Sequence, residues 1–204
     1  MRQLFYDDPD VEALARVKSK LDERDRRFAE SLIEQSRLTD KQRHWVKVLT
    51  DRAINPQTPA KIDFSGVVAL LDGAAKNLKK PPKLLVRVND QDLRLSIAGP
   101  RSAAPGSVNI STTERAFADR TWYGRVTRDG VFEPSRMIDN ATSTAVTAAL
   151  KALAADPAKI AATYGKLTGV CCFCALDLTD PRSKAVGYGK RCAQKWGMPW
   201  GKTA

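Results

Sequence analysis

The sequence predicts an α+β protein: an N-terminal helical hairpin, a small antiparallel β-sheet and a C-terminal module of treble-clef or zinc-ribbon type. Three observations predict it. Apolar residues recur at helical spacing through a stretch, from Asp10 to about Gln35, that holds neither Gly nor Pro. Short alternating runs separated by turn residues fill 84–132. All four cysteines, Cys171, Cys172, Cys174 and Cys192, fall close together near the C-terminus. The expected division is a hairpin at 1–55, an α+β domain with the sheet at 65–165 and a zinc-binding module at 166–204.

Each element follows from local signals. Leu14, Val17, Leu21, Phe28, Leu32 and Ile33 make the apolar stripe of the first helical arm. Thr39 and Gln42 match a T-x-x-Q capping box, in which each side chain satisfies an orphan amide at the other residue. The helix it starts carries Trp45, Val46, Leu49 and Ala53 on one face and ends at Asn55-Pro56. Trp45 reads as core and His44, the sole histidine, as a surface residue. Residues 55–64 form a linker. Ser65 caps a short helix over 66–78, with Val67, Val68, Leu70 and Leu71 apolar, and the KKPPK run at 79–83 stops it.

The character then changes. LLVRV at 84–88 and LRLSI at 93–97 flank a turn, NDQD at 89–92, and Leu93, Leu95 and Ile97 alternate with Arg94 and Ser96. This is a half-buried hairpin with a basic, polar outer face. After a Gly/Pro/Ser loop, 107–112 and 121–127 read as strands, and the second turns at Asp129-Gly130 into Val131-Phe132. Four or five short strands make a small sheet or incomplete barrel. Helix returns after Asn140, read as an N-cap, with Ala145, Val146, Ala149, Leu150 and Leu153 apolar. Asp156-Pro157 starts another helix, which ends near Tyr164-Gly165. No internal repeat is present.

The chemistry concentrates in 169–201. Cys171-x2-Cys174 has the spacing of a zinc knuckle, and Cys192 follows after 17 residues, a common distance to the second half of such a site. Knuckle, hairpin, then a short helix opening at Cys192 is treble-clef-like. Cys172, adjacent to Cys171, is expected to point elsewhere. The fourth ligand stays open, with Asp177, Asp180 and His44 as protein candidates. A water there would suit a catalytic site, and nothing nearby reads as a general base. The competing reading is a metal-free turn with buried thiols. Against it, a short basic tail with few aliphatics has little to bury, and a metal supplies the missing stability.

The run T-G-x-C-C-F-C-x-x-x-L-T-D-P-R-S-x-x-x-G-Y-G-x-x-C-A-x-K-W-G resembles the C-terminal cysteine module of a family of uncharacterised bacteriophage proteins, a domain of unknown function. That family usually has Gly-Arg after the knuckle and a G-x-G-P-x-C tail, where this chain has Ala175-Leu176 and Lys190. Cys171, Cys174 and Cys192 match its three cysteines, and it too lacks an obvious fourth. L-T-D-K-Q-x-x-W-V within 36–53 also resembles the N-terminal part of such proteins. The resemblance implies a phage origin and a zinc module. It implies no activity.

Charge points to the partner. The net charge is +11 and the pI about 9.7. Residues 1–35 hold seven basic and nine acidic side chains, 75–101 seven and two, and 151–204 nine and three. The excess thus sits in the middle and at the C-terminus, and a polyanion, most simply nucleic acid, is the expected partner. No apolar run reaches the roughly 18 residues of a membrane span, and MRQLFYDDPDVEAL has no apolar signal core. Clustered cysteines favour a reducing compartment, here the host-cell cytoplasm.

The expected function is therefore nucleic-acid binding, single-stranded DNA ahead of RNA, by a zinc protein of phage replication, recombination or transcription control. The sheet offers Arg87, Arg94, Trp122, Tyr123, Arg125 and Arg128. The module adds Arg182, Lys184, Tyr188, Lys190, Arg191, Lys195 and Trp196. Strand alternation puts only one of Trp122 and Tyr123 on each face. The alternative is an interaction protein that grips a host enzyme, such as a polymerase or nuclease, or a replication protein, with Trp196 and Trp200 as exposed anchors. An enzyme is not expected: the chain has no P-loop, G-x-S-x-G or H-E-x-x-H, one histidine, and no Glu after Glu133.

Overall fold

The computed structural model describes residues 8–56, 59–88, 91–114 and 116–200. The chain is α+β, with eight α-helices and a six-stranded antiparallel sheet among the described residues. It divides into two compact units, Met1–Thr58 with Arg136–Thr144, and Pro59–Ser135 with Ala145–Ala204. None of the described helices is long and apolar enough to cross a membrane.

In the first unit, helices α1 (Pro9–Val17), α2 (Glu23–Ile33) and α3 (Asp40–Ile54) enclose Leu14, Leu32, Val46 and Leu49. The first arm expected of the hairpin is thus two helices. The chain passes through a short 3-10 turn, Lys18–Lys20, and an extended Leu21, because Asp22 turns out of the helix to accept from the amide of Asp25 at 2.8 Å. The capping box forms as expected: Gln42 Oε1 accepts from the Thr39 amide at 2.8 Å, and Thr39 Oγ1 from the Gln42 amide at 3.3 Å. Trp45 is half-buried at the margin of this core, edge-on to Phe28 with ring centres 5.5 Å apart. His44 is exposed. Among the described residues the one buried carboxylate, Asp25, is ion-paired to Arg52 and lies 3.4 Å from Arg136.

Helix α5 (Asn140–Ala155) is capped not by Asn140, as expected, but by Asp139, whose Oδ1 accepts from the Thr142 amide at 2.7 Å. The Asn140 side chain is engaged elsewhere, donating to the carbonyl of Asn55 at 2.6 Å.

The second unit is built on the sheet β1 (Ala60–Lys61), β2 (Lys83–Val88), β3 (Gln91–Ile97), β4 (Val108–Ser111), β5 (Trp122–Val126) and β6 (Val131–Pro134), in the order β1-β6-β5-β4-β3-β2. Asn89 and Asp90, half of the turn expected at 89–92, lie outside the described residues, as do linker residues 57 and 58. Paired residues of antiparallel strands share a face. One face is Leu84, Val86, Leu93, Leu95, Val108, Ile110, Val126 and Phe132, all buried. It forms a core with Val67 and Leu71 of α4 (Ser65–Ala75) and with Val146, Leu150 and Leu153 of α5.

The opposite face carries Lys83, Arg87, Arg94, Ser96, Asn109, Ser111 and Arg125. Trp122 joins it through a β-bulge. Ser111 pairs with Trp122 and Ile110 with Gly124, so Tyr123 is the extra residue and strand alternation is reset. Gly124 makes this possible. Its φ is +135°, and a Cβ there would lie 2.3 Å from the Glu133 carbonyl oxygen.

Helix α6 (Pro157–Thr168) runs one turn past the expected end. Gly165 does not cap it. A Cβ at Gly165 would lie 1.8 Å from the carbonyl oxygen of Gly187, so this glycine lets the backbone that follows the cysteine turn press directly on the helix.

Gly124→Ala is expected to lower stability by about 2 kcal/mol, since it places a side chain against backbone in a left-handed conformation. A fall in the urea midpoint at unchanged m-value checks this.

Candidate metal centre

After α6 the chain folds back on itself. Leu178 N–H donates to the Gly169 carbonyl at 2.8 Å, Cys171 N–H to Leu176 at 2.8 Å and Ala175 N–H to Cys171 at 2.9 Å. This tight turn carries Cys171 and Cys174. Asp180 caps α7 (Pro181–Val186) by accepting from the Ser183 amide at 3.0 Å, with Pro181 in the first turn. A helix thus stands where a hairpin is expected between the two cysteine groups. Helix α8 (Lys190–Trp196) follows and brings Cys192 in its first turn.

The three sulfurs of Cys171, Cys174 and Cys192 lie within 4.8 Å of one another. Backbone amides of Gly189 and Phe173 donate to the Cys171 sulfur, and that of Leu176 to Cys174, the pattern that stabilises thiolates. Hydrogen bonds from Cys174 and Cys192 hold the Cys171 thiol far below its usual range. The bond to Cys171 pushes Cys174 up, and bonds to Cys171 and Cys174 push Cys192 up. The three sulfurs are soft donors, and a divalent cation between them would let all three ionise.

The cluster can hold a metal ion through three protein ligands. Among the described residues no other His, Cys, Asp or Glu joins it. Asp180 is occupied as a cap, and Asp177 is exposed, its backbone bridged to Val170. His44 lies in the other unit, with Nε2 3.5 Å from the Met137 carbonyl oxygen. Cys172 stands apart from the site, as expected. It is fully buried, and burial pushes its thiol up.

The aromatic residues of the module serve packing. Phe173 stacks on Trp196 with ring centres 4.0 Å apart, and both are buried. Tyr188 is 3% exposed and donates its hydroxyl to the Pro199 carbonyl at 2.7 Å. Both Tyr188 and Trp196, expected at a nucleic-acid surface, are thus turned into the core. Trp200 is half-buried, with the Arg182 guanidinium 4.2 Å and the Lys190 ammonium 5.3 Å from its ring centre. Lys184, Arg191 and Lys195 are exposed.

On the sheet the expected cations divide. Arg87 holds Asp92 through two bonds of 2.6 and 2.7 Å, and Arg125 holds Glu133 at 2.6 Å. Arg128 borders a different cavity, beside Lys61, Asp63, Asp72 and Asp129. Tyr123 is half-buried against the core, and burial pushes its hydroxyl up. Arg94 remains on the open face, where burial and then Arg120 lower its guanidinium. Trp122 is 44% exposed.

Sequence reasoning missed Lys80, Lys83 and Arg120. Burial, Arg94, Arg120 and Lys80 all lower the Lys83 ammonium, the signature of cations crowded together. The KKPPK run signals two of them, and it reads most simply as a helix stop. A cavity of about 680 Å³ runs from Trp122 past Asn109 and Ser111 to Arg94. A second, of about 500 Å³, runs on to Cys174, Cys192, Arg191 and Lys195. They share Lys80, Pro81, Lys83, Arg94 and Arg120, and among the described residues no Asp or Glu lines either.

Residues 161–197, which run from within α6 through the three clustered cysteines, match the model of a family of unknown function, DUF6011. No curated protein and no solved structure matches the chain.

Metal analysis of the purified protein is expected to give one ion per chain, lost on Cys171→Ser, Cys174→Ser or Cys192→Ser and kept on Cys172→Ala. Acidification is expected to release the ion, because protons compete for the thiolates. Ala175 has φ +60°, a left-handed conformation costly for any residue with a Cβ. Ala175→Gly is expected to raise stability by about 1 kcal/mol at full metal content, read from thermal unfolding.

Proposed function

We propose that the protein binds single-stranded nucleic acid, DNA ahead of RNA, on the open face of its sheet, as a zinc protein of bacteriophage replication, recombination or transcription control in the host cytoplasm. The observation that carries this reading is the groove from Trp122 to the cysteine cluster, lined by cations and, among the described residues, by no carboxylate. An exposed aromatic face stacks on a base while neighbouring cations follow the phosphates, the combination single strands use. Soft thiolate donors suit zinc, and the resemblance of the cysteine run supports the phage origin.

Zinc at Cys171, Cys174 and Cys192 would tie the cysteine turn to α8, so that Arg191 and Lys195 stay at the end of the groove. This is a structural task, and the reading is of a binding protein rather than an enzyme. The alternative, an aromatic-anchored contact with a host enzyme or replication protein, has lost its most useful side chains: Trp196 is buried and Trp200 lies beneath Arg182 and Lys190.

Fluorescence anisotropy with single- and double-stranded DNA and RNA at two salt concentrations tests the reading. Single strands are expected to bind most tightly, with affinity falling steeply as salt rises. Trp122→Ala is expected to weaken binding about 10- to 100-fold through lost stacking. Arg94→Ala and Lys83→Ala should each reduce the salt slope by about one, whereas the ion-paired Arg87 and Arg125 should matter less. No binding to any nucleic acid at low salt would overturn the reading in favour of a protein partner.

A further inference from the structure

The groove has two parts. The part beneath Trp122 is lined by Ser96, Ile97, Asn109, Ser111 and Ala118, besides the residues it shares with the second. The part at the cysteine cluster has apolar residues in its lining: Pro81, Pro82, Leu85, Phe173 and Trp196. Pro82, Leu85, Phe173 and Trp196 are all buried. Cations surround this apolar cavity: Lys80, Lys83, Arg94, Arg120, Arg191 and Lys195.

We infer that this cavity receives one unstacked nucleotide, its base against the apolar walls and its phosphates on the cationic rim. The inference rests on the proposed single-strand reading and goes beyond it by assigning a base pocket separate from the Trp122 platform. A bare anion site has no use for apolar walls, and an apolar peptide side chain has no use for six cations. A nucleotide uses both. The volume of about 500 Å³ is within the range of small-molecule sites. The shared rim of Lys80, Lys83, Arg94 and Arg120 lets one backbone pass from Trp122 to the cavity.

Two consequences follow. A base in the pocket is a base out of a duplex, so the cavity itself selects single strands. Cys174 and Cys192 both border it, so a metal held by them would fix the distance between its walls.

The test uses the metal-loaded full chain. Calorimetry with dAMP, deoxyadenosine and inorganic phosphate is expected to show dAMP binding at least about tenfold tighter than either fragment, the scale of one base contact. Leu176, at the cavity and 66% exposed, allows a negative charge to be placed in the site without disturbing the core. Leu176→Glu should weaken dAMP about tenfold with an unchanged circular dichroism spectrum. In a Trp122→Ala background, an oligonucleotide with bases should still bind more tightly than an abasic one of equal length.

If phosphate binds as tightly as dAMP, the cavity is an anion site and the inference fails. It fails equally if base dependence vanishes with Trp122 while oligonucleotides still bind, which leaves the single-strand reading standing. Loss of all oligonucleotide binding at low salt removes both.

Discussion

The second unit depends on how residues 171–173 close the free edge of the sheet. Strand β2 is an edge strand, and the Leu85 amide points away from β3 and donates to the carbonyl of Cys172 at 2.7 Å. That bond satisfies an amide that would otherwise be buried without a partner, since Leu85 is 4% exposed. It also sets the cysteine turn against Lys83 and Arg94. The backbone contact of Gly165 with Gly187 holds the same turn from behind, leaving no space for adjustment. The cysteine cluster is consequently part of the core that includes the sheet, with Cys171, Cys172, Phe173 and Trp196 packed in continuity with Leu84 and Leu85.

This placement explains the electrostatics of the open face. At its borders cations are neutralised, Arg87 by Asp92 and Arg125 by Glu133. Between them burial, and then the neighbouring cations, lower the Lys83 ammonium and the Arg94 guanidinium beside Arg120. Like charges brought together at partial burial work against folding, and the fold tolerates them next to a cysteine cluster that itself favours a cation. Ala175 in a left-handed conformation lies in the same turn. Local rules of stability are set aside in one neighbourhood, which is where a functional surface is expected.

Much of the architecture was legible in the sequence. The capping box at Thr39, the alternation of Leu93, Arg94, Leu95 and Ser96, and the Asp-Pro helix start at 156–157 act within a few residues of themselves, and each appears in the structure. The cysteine trio was legible from spacing alone. Helix breaks decided by competing local bonds were not, as at Asp22 and at Asp139 beside Asn140. The fate of the aromatic residues was also hidden, because nothing local separates a tryptophan that stacks on Phe173 from one that faces solvent.

By itself the sequence determined which residues share a face within the regular stretches of helix and strand, the sign of the charge and the identity of the three thiol donors. These follow from the fixed periods of 3.6 and 2 and from the chemistry of single side chains. Only the tertiary structure decided that Lys80, Lys83, Arg94 and Arg120 meet Arg191 and Lys195 around one cavity, and that Trp122 rather than Tyr123 looks out over the same groove. The first needs a bond between Leu85 and Cys172, residues far apart in the chain, and the second a bulge that resets alternation at Gly124. Both are contacts between elements, and periodicity within an element carries no information about its neighbours.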